Sequence, residues 1–426
     1  MRVTADSDFD TVVIGAGLVG AACALRLAQG GCQVLLLDAE APGQGASFGN
    51  AGHVATEQVF PLASPEVIRA SWRYLFAAES PLRLRIPYLL PLLPWMARFV
   101  WAARPAAFAR GVAGLLALQQ TALKDLGDLM REAGIAQLLH ADGYLRAWES
   151  EAGEQAARAD AARLRPYGVE TTVVGQDFLR RRAPGLATGV QGAVFYPGTA
   201  HVDDPVAVCQ GFVEALLRHG GLVRQQRVLS IRQARDDRVT LDLAQGGRLR
   251  CRQVLLCAGA WSGPLAASLG YRVPLDTERG YHITGPWSSP RGTGADQAAV
   301  HIPVASTERK VILTPMSMGL RMTGTLEFGG LQLPPDPRRY SLLRRQLQAL
   351  LPSVDSSRAT TWMGFRPSLP DHLPVLGRAP RQNNVFFAFG HQHLGLTLSG
   401  VTARLMAELM LGRSSFDFSA YRVDRF

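Results

Sequence analysis

The feature that most limits how this chain can fold is a short unit near its start. Thr11-Val12-Val13-Ile14 is a β-branched run ending in Gly15-Ala16-Gly17-Leu18-Val19-Gly20. An alanine- and leucine-rich segment follows, then Gly30-Gly31, then a second apolar run, Val34-Leu35-Leu36-Leu37, closed by Asp38. The pattern predicts strand, glycine turn, helix, strand, acid. Gly15 allows the tight turn, Gly17 lets backbone approach a pyrophosphate, and Gly20 lets helix and strand pack closely. Leu18 and Val19 open the helix, where unpaired N–H groups and the dipole favour an anion. Asp38, followed by Ala39, stands where a carboxylate accepts ribose hydroxyls. This is a dinucleotide site, and the unit alone leaves NAD and FAD both open.

The sequence after Asp38 favours FAD. Ala46-Ser47-Phe48-Gly49-Asn50-Ala51-Gly52-His53 is small and polar, suited to close backbone approach to a flat ring. Ser47, Asn50, Ala51 and Gly52 here resemble the Ser-x-x-Asn-Ala-Gly segment of the FAD-dependent D-amino-acid oxidase/dehydrogenase superfamily. Further motifs follow in the order of that superfamily. His201-Val202-Asp203-Asp204-Pro205 precedes a predicted helix over 206–218, and strands are predicted around Val228 and over 239–243. The apolar run Val254-Leu255-Leu256-Cys257 then ends in Ala258-Gly259-Ala260-Trp261. Arg279-Gly280-Tyr281 and Gly324-Thr325-Leu326-Glu327 match the strands of its substrate domain. Gly364-Phe365-Arg366-Pro367 and Gly390-His391-Gln392-His393-Leu394-Gly395-Leu396-Thr397 match its C-terminal motifs. The subgroup most resembled is that of the bacterial D-amino-acid dehydrogenases (small subunit) and D-hydroxyproline dehydrogenases.

Composition bounds the alternatives. A chain of 426 residues suggests two or three domains. The net charge of +10 comes almost wholly from arginine, since Lys124 and Lys310 are the only lysines. These arginines are scattered without a long block, which fits a surface favouring anionic substrates better than a nucleic-acid binder. Five cysteines without a CxxC read as reduced, buried thiols, with no metal site. Residues 1–8 lack an apolar signal core, so a cytoplasmic location is expected. Residues 82–101 are apolar but broken by Pro87, Pro91, Pro94 and three arginines, which argues against a spanning helix. With Tyr88, Trp95 and Trp101 they suit either a buried insertion or a segment lying on the inner face of a membrane.

Periodicity predicts helices over 64–117, a long amphipathic one from Leu115 to Gly134, and others over 151–165 and 341–351. The expected fold is α/β: a discontinuous Rossmann-like FAD-binding domain (1–60, 198–272 and 355–426) beside a mixed-sheet α+β substrate domain. The latter takes 61–197 and 273–354, with 64–117 as a helical insertion.

The resemblance implies an amino acid bound with its Cα–H at the flavin, oxidised to an imine. Arg366 would pair with the substrate carboxylate and Tyr281 would bind or cover substrate. His53, His391 and His393 would lie close to the flavin, and a helix opening at Thr397 would aim its positive end at the ring. His282 reads as structural. Relatives that tether flavin use a cysteine, absent around Leu313-Thr314-Pro315-Met316, so FAD is expected to be non-covalent. Relatives that react with oxygen use a lysine near the flavin. Lys124 and Lys310 are poorly placed for that, so a dehydrogenase passing electrons to a quinone or partner flavoprotein is expected. The histidines suggest a cyclic substrate such as cis-4-hydroxy-D-proline or D-proline. The alternatives are a broad D-amino-acid dehydrogenase giving 2-oxo acid and ammonia, a tRNA-modifying flavoenzyme, an NAD-dependent dehydrogenase, and a non-catalytic FAD-holding subunit.

Overall fold

The computed structural model describes residues 8–69, 80–234, 236–286 and 300–426. Asp8–Ile14 is the first strand, and Val12 and Val13 within it are fully buried, as β-branched residues in a sheet covered on both faces should be. Val34–Asp38 and Arg248–Leu256 flank it in parallel. Leu222–Gln225 and Val385–Phe389 extend the parallel sheet on either side. Val239–Leu243 pairs antiparallel with the first half of Arg248–Leu256, Val228–Gln233 pairs antiparallel with Val239–Leu243, and Val375–Arg378, beside Val385–Phe389, completes eight strands.

Helix Leu18–Gln29 lies against this sheet with Ala21, Ala22 and Ala24 fully buried. Two of the three motif glycines serve that packing. Gly15 has φ +107°, and a Cβ on it would stand 2.4 Å from the Cys257 carbonyl oxygen. A Cβ on Gly20 would stand 1.8 Å from the Gly15 carbonyl oxygen.

The second sheet has nine strands. Its path runs Thr360–Ser368, Asp276–Gly285, Gly319–Phe328, Val311–Met316, Val304–Ser306, Tyr144–Trp148, Gly192–Tyr196 and Thr172–Val174. The remaining strand, Leu82–Leu84, pairs beside Gly319–Phe328. A small third sheet (His53–Val54, Ala200–Val202, Leu139–His140) is built from the connections between the two larger ones. The α/β class with a discontinuous Rossmann-like layer and a second mixed-sheet layer is thus the observed architecture.

The expected boundaries need three corrections. Thr360–Ser368 falls in the range assigned to the FAD-binding domain, yet it is an edge strand of the second sheet, in register with Asp276–Gly285 from Asp276↔Ser368 to Thr284↔Thr360. That pairing spans a long sequence separation and leaves no local mark. Pro105–Glu132 is a single 28-residue helix that runs across the end of the predicted insertion. Its buried face (Leu115, Leu118, Ala122, Leu126) packs on helix Ser399–Met410, where a Cβ on Gly400 would stand 2.3 Å from the Leu126 backbone nitrogen. The helix therefore belongs to the core of the first layer. Finally, the C-terminal helix begins at Ser399, not Thr397. The Thr397 hydroxyl accepts instead from Ala55 N–H at 2.9 Å, which holds it in the preceding turn. Residues 70–79 of the predicted insertion, and 1–7, lie outside the described residues.

Candidate active site

A cavity of about 490 Å³ opens along the carboxyl ends of the parallel strands and continues beneath the second sheet. Gly15, Gly17, Leu18, Val19, Asp38 and Ala39 line one part of it. Ser47, Asn50 and Ala51 continue the wall, and Val228, Ala258, Gly259 and Trp261 contribute from the later strands. Gly364, Arg366, Gly390, His391 and His393 line the rest, with Gly395 and Leu396. Residues from at least seven separate segments of the chain therefore share one cavity.

Four expected cofactor residues do not line it. Gly20 is held against Gly15, as described. Gly52 has φ +70° and faces the Val202 carbonyl, 2.9 Å from where its Cβ would be. Leu394 is buried in the apolar core of the first layer, and Thr397 is bonded to Ala55.

The first turn of Leu18–Gln29 fits an anionic group. A helix start leaves N–H groups without intrahelical partners, and one of them, Leu18 N–H, donates to Ser47 Oγ at 3.0 Å. Asp38 accepts from Ala16 N–H at 2.5 Å and from Glu40 N–H at 3.0 Å, so it fixes the turn while still bordering the cavity. Gly17 is different from its two neighbours. Its backbone is ordinary and extended (φ −77°, ψ 179°), and the nearest atom to an added Cβ is Ser47 Oγ at 3.2 Å. What a side chain there would fill is the cavity itself.

The residues expected at the reacting centre separate into two groups. Arg366 and His393 face the cavity together. Arg366 is partly exposed, and among the described residues no carboxylate stands within 4.0 Å of its guanidinium. Burial pulls its pKa below the ordinary value, while Glu278, its register partner on the next strand, works the other way. Burial, and then the Arg366 charge, push His393 down to about 4, so its imidazole is neutral near pH 7. His391 borders the same cavity, but its Nε2 lies 3.0 Å from Thr402 Oγ1, and burial pushes it down to about 3.

His53 and Tyr281 are turned to other partners. His53 Nε2 lies 3.1 Å from Glu57 Oε1, and its ring packs on Tyr144, with no place in the cavity wall. Burial would raise the Glu57 carboxyl, but His53 overcomes this and holds it below the ordinary range. The Tyr281 hydroxyl donates to Glu327 Oε1 at 3.0 Å and accepts from Asp336 N–H at 2.9 Å. Burial pushes its pKa up to about 12. Tyr281 touches the cavity wall with its hydroxyl committed elsewhere. Both expectations came from neighbourhood in sequence, which cannot show which side of a loop or strand holds a stronger partner.

Two contributors were missed. Arg321 is buried in the strand Gly319–Phe328, and its Nη1 donates to the carbonyls of Phe48 and Asn50 at 3.1 and 2.6 Å. It clamps the loop that borders the cavity. An arginine between Leu320 and Met322 in a buried strand was the available signal. Trp362 also lines the cavity; a Cβ on either Gly49 or Gly364 would stand 1.8 Å from its ring. His282, expected to be structural, stacks on Trp362 with centroids 5.1 Å apart.

Comparison with known proteins decides the family. The sequence pattern described as DAO, FAD dependent oxidoreductase, matches residues 10–409. The chain belongs to the DAO family of FAD-dependent oxidoreductases. A D-amino-acid oxidase of Bradyrhizobium diazoefficiens is 31% identical over 413 residues, covering 94% of each chain. A D-amino acid dehydrogenase of the same organism is 30% identical over 427 residues, covering 97% of this chain and 98% of that one. Among solved structures, glycine oxidase from Geobacillus kaustophilus superposes with a TM-score of 0.72 at 21% identity, over 98% of this chain and 99% of that one. L-proline dehydrogenase from P. horikoshii gives 0.70 at 16%, over 99% and 98%. These two likenesses show the DAO fold.

The cofactor of this DAO-family chain is FAD, and the glycine turn, Ser47 and Asp38 provide the geometry a dinucleotide needs. Gly17→Val should fold, because its backbone angles suit any residue, yet purify without flavin absorbance. A yellow Gly17→Val protein would remove the turn from the cofactor site. A second expectation concerns acid. His391 is held neutral in the fold, down to about 3 from an ordinary 6.5, so below pH 6.5 the unfolded chain takes up a proton that the folded chain refuses. Its contribution to stability is complete above pH 6.5 and declines toward pH 3. Denaturant titrations from pH 6.5 to 5 should show wild type losing about 2 kcal/mol more than His391→Gln.

Proposed function

We propose that this chain is a D-amino-acid dehydrogenase, oxidising the amine to the imino acid and passing the electrons to an acceptor other than oxygen. The observation that carries the reading is Arg366: a guanidinium in the wall of the cavity that the cofactor turn also lines, acted on by Glu278 of the next strand but with no carboxylate within 4.0 Å among the described residues. A half-buried guanidinium in that state is free to take an anion from the cavity, and a planar fork matches a carboxylate in two parallel hydrogen bonds. The names of the two curated relatives, both acting on D-amino acids, support that substrate class. When bound, FAD would supply the acceptor for the electron pair of the Cα–H bond that is broken, while the nitrogen loses a proton and the C=N bond forms. The chain's own residues bind and orient. Arg366 fixes the carboxylate, and neutral His393 offers a hydrogen-bonding imidazole next to it without adding charge.

The lysines support dehydrogenase over oxidase. Lys124 is paired with Asp128 on the surface of Pro105–Glu132, and Lys310 lies in a turn with φ +56° near Arg146 and Asp160. Neither borders the cavity. A quinone or a partner flavoprotein suits such an enzyme as acceptor.

A second reading, a cyclic substrate such as cis-4-hydroxy-D-proline, now rests on His393, because His53 and His391 are engaged by Glu57 and Thr402. A neutral imidazole beside Arg366 could accept from, or donate to, a ring hydroxyl.

Arg366→Ala should lower kcat/KM by about a hundredfold or more, and Arg366→Lys should recover part of it, both with normal flavin content. Unchanged kcat/KM in Arg366→Ala would take the residue out of the site. Anaerobic flavin bleaching by D-alanine, D-proline, cis-4-hydroxy-D-proline and their L-isomers tests the substrate. Bleaching by D- over L-isomers is expected. A D-alanine preference of about tenfold in kcat/KM, some 1.4 kcal/mol, would end the cyclic reading. Bleaching by none of them would leave a non-catalytic flavin subunit or a tRNA-modifying enzyme.

A further inference from the structure

Helix Leu89–Ala102, with the short turn Ile86–Tyr88 before it, has two unlike faces. One is fastened to the second sheet. Leu92 and Trp95 are buried, the Trp95 ring lies 5.2 Å from Phe328, and its Nε1 donates to the Ser368 carbonyl at 3.3 Å. The Tyr88 hydroxyl donates to Asp276 Oδ1 at 3.0 Å. The helix is thereby anchored to the edge strand Thr360–Ser368, which also carries Arg366.

The other face is apolar and bare. Ile86 and Leu90 are each 79% exposed, Trp101 61%, Leu93 57% and Val100 52%. At 100° per residue, positions 90, 93, 97, 100 and 101 fall on one side of the helix, opposite Leu92 and Trp95. Surface apolar residues are normally scattered singly; a continuous stripe marks a contact surface.

Charge selects what covers it. From Pro81 to Leu123 the chain carries five arginines and no aspartate or glutamate. Arg98, Arg104 and Arg110 are exposed, and the Arg104 guanidinium lies 3.3 Å over the Trp101 ring. An apolar stripe bordered by cations, with tryptophan at the border, matches a membrane of anionic lipid, which supplies apolar depth and negative headgroups together. Among the described residues no single helix is long and apolar enough to cross a membrane, and the next helix, Pro105–Glu132, turns away by 88° and buries its apolar face in the core.

We propose that residues 86–101 seat this protein on an anionic bilayer as an in-plane amphipathic helix. Ile86, Leu90, Leu93, Val100 and Trp101 enter the acyl boundary, and Arg98, Arg104 and Arg110 meet the headgroup phosphates. This docking is independent of the substrate and is read without turnover, so its failure and that of the dehydrogenase reading are distinguishable. The test is co-sedimentation of the FAD-loaded full chain with vesicles of phosphatidylcholine alone or mixed with phosphatidylglycerol.

Wild type should bind the mixed vesicles at least about tenfold more tightly than the neutral ones. Leu90→Glu/Trp101→Glu should lose binding to both by a similar factor, and Arg98→Glu/Arg104→Glu should lose the preference for anionic lipid. Both variants should keep the flavin spectrum and the rate with a water-soluble acceptor. Wild type left in the supernatant with mixed vesicles would overturn the proposal. So would vesicle binding unaffected by Leu90→Glu/Trp101→Glu. A wild-type dimer that ignores vesicles and is dissociated by that double variant would give the face to a second copy of the chain, and would overturn it equally.

Discussion

The cavity depends on how closely the strand Arg248–Leu256 approaches the first glycine turn. Cys257 N–H donates to the Ile14 carbonyl at 2.7 Å, and Gly15 N–H donates to the Leu37 carbonyl at 2.7 Å. The turn is thus tied to both neighbouring strands at the point where the sheet ends. Only a residue without a Cβ, at positive φ, can sit against the Cys257 carbonyl there. Because Gly15 fills that place, Ala258 arrives beside it, and the start of Leu18–Gln29 is left lining the cavity with Ala258 and Gly259.

The opposite wall is held by buried charge. Arg279 has no exposed surface, and all five of its N–H donors are directed at acceptors: Glu327 and the carbonyls of Gly329, Gly330, Leu333 and Pro334. A buried ion pair alone is a poor source of stability, because desolvation offsets its attraction. Here the guanidinium is saturated, Glu327 also accepts from Tyr281, and Tyr281 accepts from Asp336 N–H. The network ties Asp276–Gly285 to Gly319–Phe328. These are the strands from which Arg321 reaches the loop at Phe48 and Asn50, and against which the strand bearing Arg366 is paired.

Much of this was legible in the sequence because it rests on local rules. The β-branched run, the glycines and Asp38 mark the first unit, and helix Pro205–Arg218 begins one residue from its predicted start. The residues expected along the cavity wall are those whose small size or turn chemistry shows in one dimension. What was illegible is pairing between distant segments. Thr360–Ser368 joins the second sheet through Asp276–Gly285, and Pro105–Glu132 joins the first layer through Gly400. Tyr281 and His53 sit near the right place, but the nearer carboxylates of Glu327 and Glu57 claim their polar atoms. Arg321 carried only a weak mark, a lone cation in an apolar strand.

The contact between Gly400 and Leu126 bears on how this fold can be taken apart. Backbone meets backbone there, so the long helix is a wall of the cofactor layer even though the sequence around it reads as part of an appended segment. Cutting that segment out, or exchanging it with a relative's, would strip an apolar flank from Ser399–Met410 and from Leu18–Gln29 behind it. A chimera that respects the architecture has its joints before Pro105 and after Glu132. The outer helix Leu89–Ala102 is fastened instead to the second sheet through Leu92 and Trp95, so the two helices answer to different layers.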